Sequence, residues 1–262
     1  QGNRVNTQRQ LALALLLTTL LAGCSSFSSS SIYAKATQAS VESYTDLGIK
    51  YLQAGDTVSA KSSLKQALDI NPNHAPALNG LALVFQAEAE NALAENYFRD
   101  AVKNDPGSAM IHNNYGAFLY AQQRYEEACT ELSRATEDPF YAQRAQAFEN
   151  LGRCYRLIGR DDAAVFVLER ALTLSPDRPL AMIELADLHF ERGNADAAAK
   201  WFAEFRDLVD RGLVDHFAKS LWVGVRLART QGNASRSATY ALLLKNLYPE
   251  SEEYKRYEES SR

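Results

Sequence analysis

The side chains best suited to acid–base or metal chemistry in this 262-residue chain are four histidines and two acidic pairs. The histidines are far apart in sequence: His74, His112, His189 and His216. None has the His-Glu-x-x-His spacing of zinc enzymes, and no P-loop, dinucleotide fingerprint or nucleophile elbow is present. The acidic pairs Glu126-Glu127 and Asp161-Asp162 stand where helices are predicted to begin, and carboxylates there favour the helix dipole. We therefore predict a protein that is not an enzyme, with no metal, no cofactor and no small-molecule substrate.

Cysteine is the remaining reactive type, and the first of three cysteines, Cys24, has a distinctive context. It follows an apolar run over residues 11–22, which itself follows a polar segment that contains Arg4 and Arg9. A basic flank, a short apolar run and small residues at its end are typical of an export signal. A run of twelve residues is too short to span a bilayer core of about 30 Å.

The sequence Leu-Ala-Gly-Cys that ends at Cys24 resembles the lipobox of bacterial lipoproteins, which is cut just before the cysteine. The resemblance implies a signal peptide over residues 1–23 and lipid attachment at Cys24, with enough acyl chains for stable anchoring. Ser25, rather than Asp, implies sorting to the periplasmic face of the outer membrane in a Gram-negative cell. Residues 24–40 are rich in serine, and this composition predicts a flexible tether. An ordinary secretory signal with an incidental cysteine is the alternative.

The overall charge argues against nucleic acid as a partner. The formal net charge is −4 and the isoelectric point is near 5.7, without any long basic run. Proteins that bind nucleic acid electrostatically carry a basic patch or stripe.

The elements that must position any functional side chain are a series of helix pairs, first seen over residues 44–72. Small residues recur there at helical spacing, with Gly55 at the predicted turn and Pro72 after the second helix. This spacing is similar to that of the tetratricopeptide repeat, in which two helices meet at small residues. A single match would be weak evidence, but the pattern recurs.

The pattern returns about every 34 residues, with small residues in equivalent places: Ala60, Ala94, Ala128, Ala164, Ala198 and Ala238. Repeats are predicted near residues 41–74, 75–108, 109–142, 145–178, 179–212 and 219–252, followed by a short C-terminal capping segment, all within a domain over 41–262. One helix pair cannot bury its apolar face alone, so neighbouring pairs share a core. We predict an all-α tetratricopeptide-repeat fold, a right-handed superhelix whose concave face is lined by the first helix, or A helix, of each repeat. Unrelated amphipathic helices in a globular bundle are the alternative.

The concave groove is the predicted working surface. Repeat arithmetic places these A-helix residues in it: Thr45, Ile49, Leu52, Asn79, Leu83, Gln86, Asn113, Ala117 and Tyr120. The fourth and fifth repeats add more charged positions: Glu149, Arg153, Arg156, Ile183, Asp187 and Phe190. The early groove is mainly apolar with amides, which favours an amphipathic helix or strand as the guest. Alternatively, these side chains pack partly on their own second helices, or B helices.

The other two cysteines fall where neighbouring repeats are predicted to meet. Cys129 follows the packing residue Ala128 on one B helix, and Cys154 lies two residues after Gly152 on the next A helix. A disulfide is compatible with export to an oxidising compartment, and so are two separate buried thiols. A disulfide requires Cα atoms within about 7 Å of each other.

Several motifs together resemble one family. They are Asn113-Asn114-Tyr115-Gly116 in the third repeat, Phe148-Glu-Asn-Leu-Gly152 in the fourth, Leu247-Tyr248-Pro249 near the end, the lipobox and the six repeats. The combination is similar to the type IV pilus biogenesis and stability lipoproteins of the PilF and PilW type. The resemblance implies an outer-membrane pilotin that binds the secretin, the ring-shaped pore for the pilus, and promotes its localisation and multimerisation. Some members have a disulfide between neighbouring central repeats, which implies a bond between Cys129 and Cys154.

Two other functions remain open at this stage. The chain fits a tetratricopeptide-repeat lipoprotein adaptor for cell-wall hydrolases or other envelope complexes, and an enzyme with an unrecognised site is the third hypothesis. Identifying the partner that co-purifies from membranes, either a secretin or a peptidoglycan enzyme, would separate the first two.

Overall fold

The computed structural model describes residues 35–261, and every regular element in that part of the chain is a helix. The helices are α1 (35–53), α2 (Thr57–Ile70), α3 (Ala75–Ala87), α4 (Asn91–Asn104), α5 (Ala109–Ala121), α6 (Tyr125–Ala135), α7 (Arg144–Leu157), α8 (Asp161–Leu174), α9 (Pro179–Glu191), α10 (Ala195–Asp210), α11 (Ala218–Thr230), α12 (Ala234–Leu247) and α13 (Glu252–Glu259). Odd-numbered helices up to α11 are A helices, and each packs against the even-numbered B helix that follows it. The predicted all-α tetratricopeptide-repeat fold class is confirmed.

The chain divides into two compact units at Gly107. The first unit contains the pairs α1–α2 and α3–α4, and the second contains α5–α6, α7–α8, α9–α10 and α11–α12 with α13 at the end. Within the second unit, α7 contacts both α5 and α9, and α11 contacts both α9 and α13. The A helices of this unit therefore follow one another along one face.

Local signals explain where helices begin and where they turn. Asp56 accepts a hydrogen bond from the Ser59 backbone N–H at 3.0 Å and caps α2, while Pro179 opens α9 with a preset backbone angle. Gly159 has φ +71° in the turn between α7 and α8, a conformation that glycine adopts without strain. Gln123 takes the same conformation, φ +60°, in the preceding repeat.

Close contact between the helices of a pair depends on a residue without a side chain or with a very small one. In four repeats a glycine faces a bulky residue that lies sixteen positions further on: Gly48 and Leu64, Gly116 and Leu132, Gly152 and Leu168, Gly224 and Tyr240. A Cβ atom added at Gly152 would lie 2.5 Å from Leu168 Cγ. The glycine therefore permits the short interhelical distance, and the bulky partner fills the space that it leaves.

The sixth repeat begins about two residues earlier than the predicted 219–252. Its predicted packing residues Ala238 and Leu242 are exposed on α12, whereas Tyr240 and Leu244 are buried. The reason is that Gly224, rather than a residue two positions later, provides the close approach, and Tyr240 fills the place that leucine or phenylalanine holds in other repeats. In this register the position equivalent to Ala60 is Arg236, so the nearby Ala238 led to a register two residues too late.

The predicted tether also ends earlier than residue 40. Helix α1 already includes residues 35–40, where the Gln38 side chain donates to Glu42 one turn later at 2.9 Å. Val41, which follows residue 40, is fully buried, so the tertiary contacts of α1 begin near residue 41. Cys24, the signal peptide and most of the tether lie outside the described residues. No helix within residues 35–261 is both long and apolar enough to cross a membrane.

Replacing Gly152 with alanine tests the packing of the helix pairs. Alanine normally favours a helix over glycine by about 1 kcal/mol. Here the added Cβ meets the fully buried Leu168, so we expect Gly152→Ala to destabilise the protein by about 1–3 kcal/mol, measured by urea unfolding.

Gly107→Ala is the matched control, because the nearest atom to its added Cβ is Asp105 Oδ1 at 3.9 Å. This variant should change the free energy of unfolding by no more than about 0.5 kcal/mol. A Gly152→Ala protein as stable as the wild type would contradict the packing described above.

Candidate functional site

The predicted groove residues of the first unit are partly exposed and partly buried. Ile49, Leu52, Leu83 and Gln86 are half-buried on α1 and α3, as a groove surface requires. The other two predicted positions are buried: Thr45, whose hydroxyl donates to the Val41 carbonyl at 2.8 Å, and Asn79. These two polar side chains are therefore not available to a guest.

In the second unit, the three predicted residues on α5 have three different environments. Asn113 is buried, and its side-chain oxygen accepts a hydrogen bond from Asn150 Nδ2 on α7 at 3.1 Å. Ala117 is exposed, while Tyr120 is half-buried with the Arg153 guanidinium of α7 over its ring, 5.3 Å from the centroid. Ala117, Tyr120 and Arg153 are thus the members of the predicted groove set that a guest can reach here.

The charged part of this surface is an ion-pair network between successive A helices. Arg156 on α7 donates to Glu184 at 2.7 Å, to Asp187 at 2.5 Å and to Glu191 at 2.9 Å. These three carboxylates lie at i, i+3 and i+7 on α9, so they share one face of that helix. One arginine therefore bridges α7 to a whole face of α9.

Two cations of α11 complete the network from the other side. Lys219 lies 2.6 Å from a Glu184 oxygen and 3.5 Å from an Asp187 oxygen, and Arg226 donates to Asp187. The Arg226 guanidinium also lies between the rings of Phe190 and Trp222, with centroids at 4.8 and 5.2 Å. Three cations and three carboxylates are thus fixed together, and the local charges balance.

The electrostatics keep this network ionised. Burial alone would raise the pKa of Asp187, but the positive charges of Arg156, Arg226 and Lys219 outweigh it and hold that pKa below its usual value. Burial likewise opposes the charged form of Arg156, and the facing Asp187 and Glu184 raise its pKa above the usual range. Both groups therefore remain charged at neutral pH.

A second ion pair, between Glu149 and Arg178, links α7 to the beginning of α9. The Glu149 carboxylate accepts from Arg178 at 3.0 and 3.2 Å and from the Ala181 backbone N–H at 3.2 Å. Glu149 was a predicted groove residue, but it is buried in this contact. Ile183, predicted for the same surface, is fully buried too.

An open pocket of about 430 Å³ lies over the network. Besides the network it is lined by Tyr120, Arg153, Leu157, Trp222, Glu253 and Arg256. Leu157 is half exposed and lies beside the charged groups of the network, which hold one another in place through their ion pairs. Such a surface offers one apolar contact, aromatic edges and oriented charges, which suits recognition of a peptide segment.

We refer to this surface, from Ala117 on α5 to Arg256 on α13, as the unit-2 groove. Sequence reasoning identified Tyr120, Arg153, Arg156 and Asp187 but missed Glu184, Lys219 and Arg226. A signal was available, because Lys219 and Arg226 lie seven residues apart on one helical face. The misplaced register of the sixth repeat concealed that this basic face is opposite the acidic face of α9.

Cys129 of α6 and Cys154 of α7 are joined by a disulfide in the structure, with Cα atoms 5.6 Å apart. This distance is within the range that disulfide geometry allows. Both residues are buried. The link joins the B helix of the third repeat to the A helix that carries Arg153 and Arg156.

The chain is similar to known tetratricopeptide-repeat proteins. Three family models, each described as a tetratricopeptide repeat, match residues 41–74, 107–177 and 159–206. The chain is 39% identical over 217 residues to the type IV pilus assembly protein PilF of Pseudomonas aeruginosa, which covers 83% of this chain and 84% of that protein.

Two solved structures are similar across most of the chain. The structure of Pseudomonas aeruginosa PilF has a TM-score of 0.78 and 36% identity, and the match covers 86% of this chain and 99% of that one. The structure of PilW, described as a widely conserved type IV pilus biogenesis factor, has a TM-score of 0.70 and 30% identity, with 83% and 97% covered.

Replacing Asp187 with asparagine tests the network. The change leaves Arg156, Lys219 and Arg226 without their shared carboxylate, so we expect a loss of about 3–5 kcal/mol in the free energy of unfolding at pH 7. Glu191→Gln is the matched control, because this carboxylate is half exposed, and should cost no more than about 1 kcal/mol.

The wild type and the Asp187→Asn variant also provide a test of pH dependence. The folded-state pKa of Asp187 is lowered, so its stabilising contribution is fully present above about pH 4 and is lost as pH falls through the lower folded pKa. Urea unfolding between pH 2 and pH 7 should show the difference between wild type and Asp187→Asn constant at higher pH and shrinking in acid. A difference that is small at pH 7, or that grows in acid, would contradict this assignment.

Proposed function

Because the chain belongs to the PilF and PilW family of type IV pilus tetratricopeptide-repeat proteins, we propose that it is a pilotin. In this role it is held on the periplasmic face of the outer membrane, binds the secretin subunit and promotes its localisation and multimerisation. The observation that carries the proposal is the 39% identity to PilF across 83% of this chain and 84% of PilF. Similarity that extends over nearly the whole length of both chains supports a shared role in pilus biogenesis.

The unit-2 groove supports binding of a protein segment. The charged groups of its ion-pair network are already paired with one another, so a guest gains little from adding one more charge to that network. The apolar and aromatic contacts left for a guest are the half-exposed Leu157, the half-buried Tyr120 and the surface around the exposed Ala117. An amphipathic segment of the secretin fits this surface, with its apolar residues on Leu157 and its polar residues toward the ion pairs.

Membrane attachment is the second part of the proposal, and it rests on the sequence around Cys24. The Leu-Ala-Gly-Cys motif supports cleavage before Cys24 and lipid attachment to its sulfur. The Cys129–Cys154 disulfide is in keeping with export, since disulfides persist in the periplasm and are rare in the cytosol. Anchoring would place the groove in the compartment where secretin subunits assemble.

Binding through the groove can be tested with two leucines of similar exposure. Leu157→Asp introduces a charge at the apolar contact of the unit-2 groove, and Leu242→Asp introduces the same charge on α12, where Leu242 is 58% exposed. We expect Leu157→Asp to weaken binding to the purified periplasmic part of the secretin by at least about tenfold, or 1.4 kcal/mol, with Leu242→Asp unchanged. Calorimetry measures both, after circular dichroism has shown equal helix content.

In cells, the Leu157→Asp variant should reduce SDS-resistant secretin multimers and surface pili, and Leu242→Asp should not. If secretin multimers form normally in a strain that lacks the protein altogether, the pilotin role is wrong. If they need the protein but both variants support them equally, the role stands and the groove assignment is wrong.

Replacing Cys24 with serine tests lipid attachment. Serine offers no thiol for the lipid, so the mature repeats should leave the membrane pellet and appear in the soluble periplasmic fraction. Cys129→Ser is the control, because it also replaces one cysteine, here a member of the Cys129–Cys154 disulfide, but leaves the attachment site intact. Continued sedimentation of Cys24→Ser with the outer membrane would contradict lipid anchoring as the attachment.

A further inference from the structure

A second cleft lies on the B-helix side of the second unit and shares no lining residue with the unit-2 groove. It has a volume of about 430 Å³ and lies between α8 and α10, with the beginning of α9 at its base. Its apolar lining consists of Leu172, Pro176, Met182 and Trp201. Its polar lining consists of Glu169, Thr173 and Glu204. We refer to it as the α8–α10 cleft.

The apolar part of the cleft has a closed base and an open aromatic wall. Leu172 and Met182 are buried and form the base, while Trp201 is half-buried, so part of its side chain is open to solvent. Methionine adapts its shape to a guest, and tryptophan contributes a large rigid surface. These side chains can accept an aliphatic chain of several carbon atoms.

The charged side chains that line the cleft are both acidic. Glu169 on α8 and Glu204 on α10 are both exposed, and neither forms an ion pair within residues 35–261. His189 lies close enough to Glu169 to feel its charge, but burial lowers the pKa of this histidine, so it is mainly neutral at pH 7. Two carboxylates therefore stand beside the cleft without a cation shared between them.

Trp201 already accepts a cation from its own helix. Lys200 Nζ lies 5.1 Å from the centroid of the Trp201 ring. This contact shows that the ring is accessible to a positive charge and oriented for a cation–π interaction. A cation from a partner would be drawn to the same ring and to the two carboxylates.

We propose that the α8–α10 cleft binds a partner segment that presents a lysine or arginine next to apolar residues. The cationic head lies between Glu169 and Glu204 and over Trp201, while its aliphatic stem contacts Leu172 and Met182. A purely apolar guest would remove water from two carboxylates without compensation, and an acidic guest would be repelled. The α8–α10 cleft is separate from the unit-2 groove, so the protein has a second surface, which suits a basic partner.

The two tryptophans of the chain make the binding site directly observable, because Trp201 lines this cleft and Trp222 lines the unit-2 groove. The probes are the peptide acetyl-Leu-Arg-Leu-Arg-Leu-amide and its counterpart with citrulline in place of arginine, which has nearly the same shape without the charge. Their titration is followed through the two indole N–H signals in a ¹H–¹⁵N NMR spectrum of the mature protein. We expect the Trp201 signal to shift and the Trp222 signal to stay in place.

The arginine peptide should bind at least about tenfold more tightly than the citrulline peptide at low salt, and the difference should shrink as salt screens the carboxylates. Glu169→Gln and Glu204→Gln should each weaken binding about two- to fivefold. Lys200→Gln should tighten it, because the competing cation is removed from Trp201. Glu259→Gln, an exposed carboxylate on α13, is the matched control and should change nothing.

Equal affinity for the arginine and citrulline peptides would overturn the proposal and indicate a purely apolar guest. A shift of the Trp222 signal alone would overturn it as well, since binding would then be in the unit-2 groove. An unchanged affinity in the Glu169→Gln, Glu204→Gln double variant would also contradict it. None of these variants alters the unit-2 groove, so failure here leaves the secretin proposal untouched.

Discussion

The constraint on which the rest of the structure depends is the distance between the two helices of a pair. A glycine on the A helix and a bulky residue sixteen positions later on the B helix allow that distance, as Gly152 and Leu168 show. Because the bulky residue then packs against the glycine backbone, the opposite side of the A helix is left to face its neighbours in adjacent repeats. The exposed A-helix face that forms the unit-2 groove is therefore a direct result of interhelical packing.

The ion-pair network mainly fixes the relative orientation of three helices and contributes little net stability. Buried ion pairs recover little more than the cost of removing their charges from water, so Arg156 and Asp187 are better explained by what they specify. Their pairing sets the relative position of α7, α9 and α11, and it holds Phe190 and Trp222 against Arg226. In the proposed role, the paired charges of this network favour recognition by shape and apolar contact, since a wrongly placed charge on a guest would disturb a balanced set.

The sequence allowed the fold class to be predicted because the repeat spacing follows from helix geometry. Positions such as Ala60 and Ala164 are fully buried, as their place in the repeat requires. The prediction failed in the sixth repeat, where Arg236 stands in place of the usual alanine and Tyr240 packs against Gly224, two residues before the predicted register. It also could not separate exposed from buried polar residues, since the burial of Asn113 depends on Asn150, which belongs to the following repeat. The ion-pair network depends on three helices at once, and no local pattern contains that information.

The most direct test of the central claim, that the A-helix face is the surface that recognises the secretin, is site-specific photocross-linking in living cells. A photoreactive phenylalanine derivative would be placed at Ala117, exposed in the unit-2 groove, and in a second strain at Leu242, exposed on a B helix of the same unit. The account predicts a cross-link to the secretin from position 117 and none from position 242. Cross-linking to the secretin from position 242 but not from position 117 would contradict it.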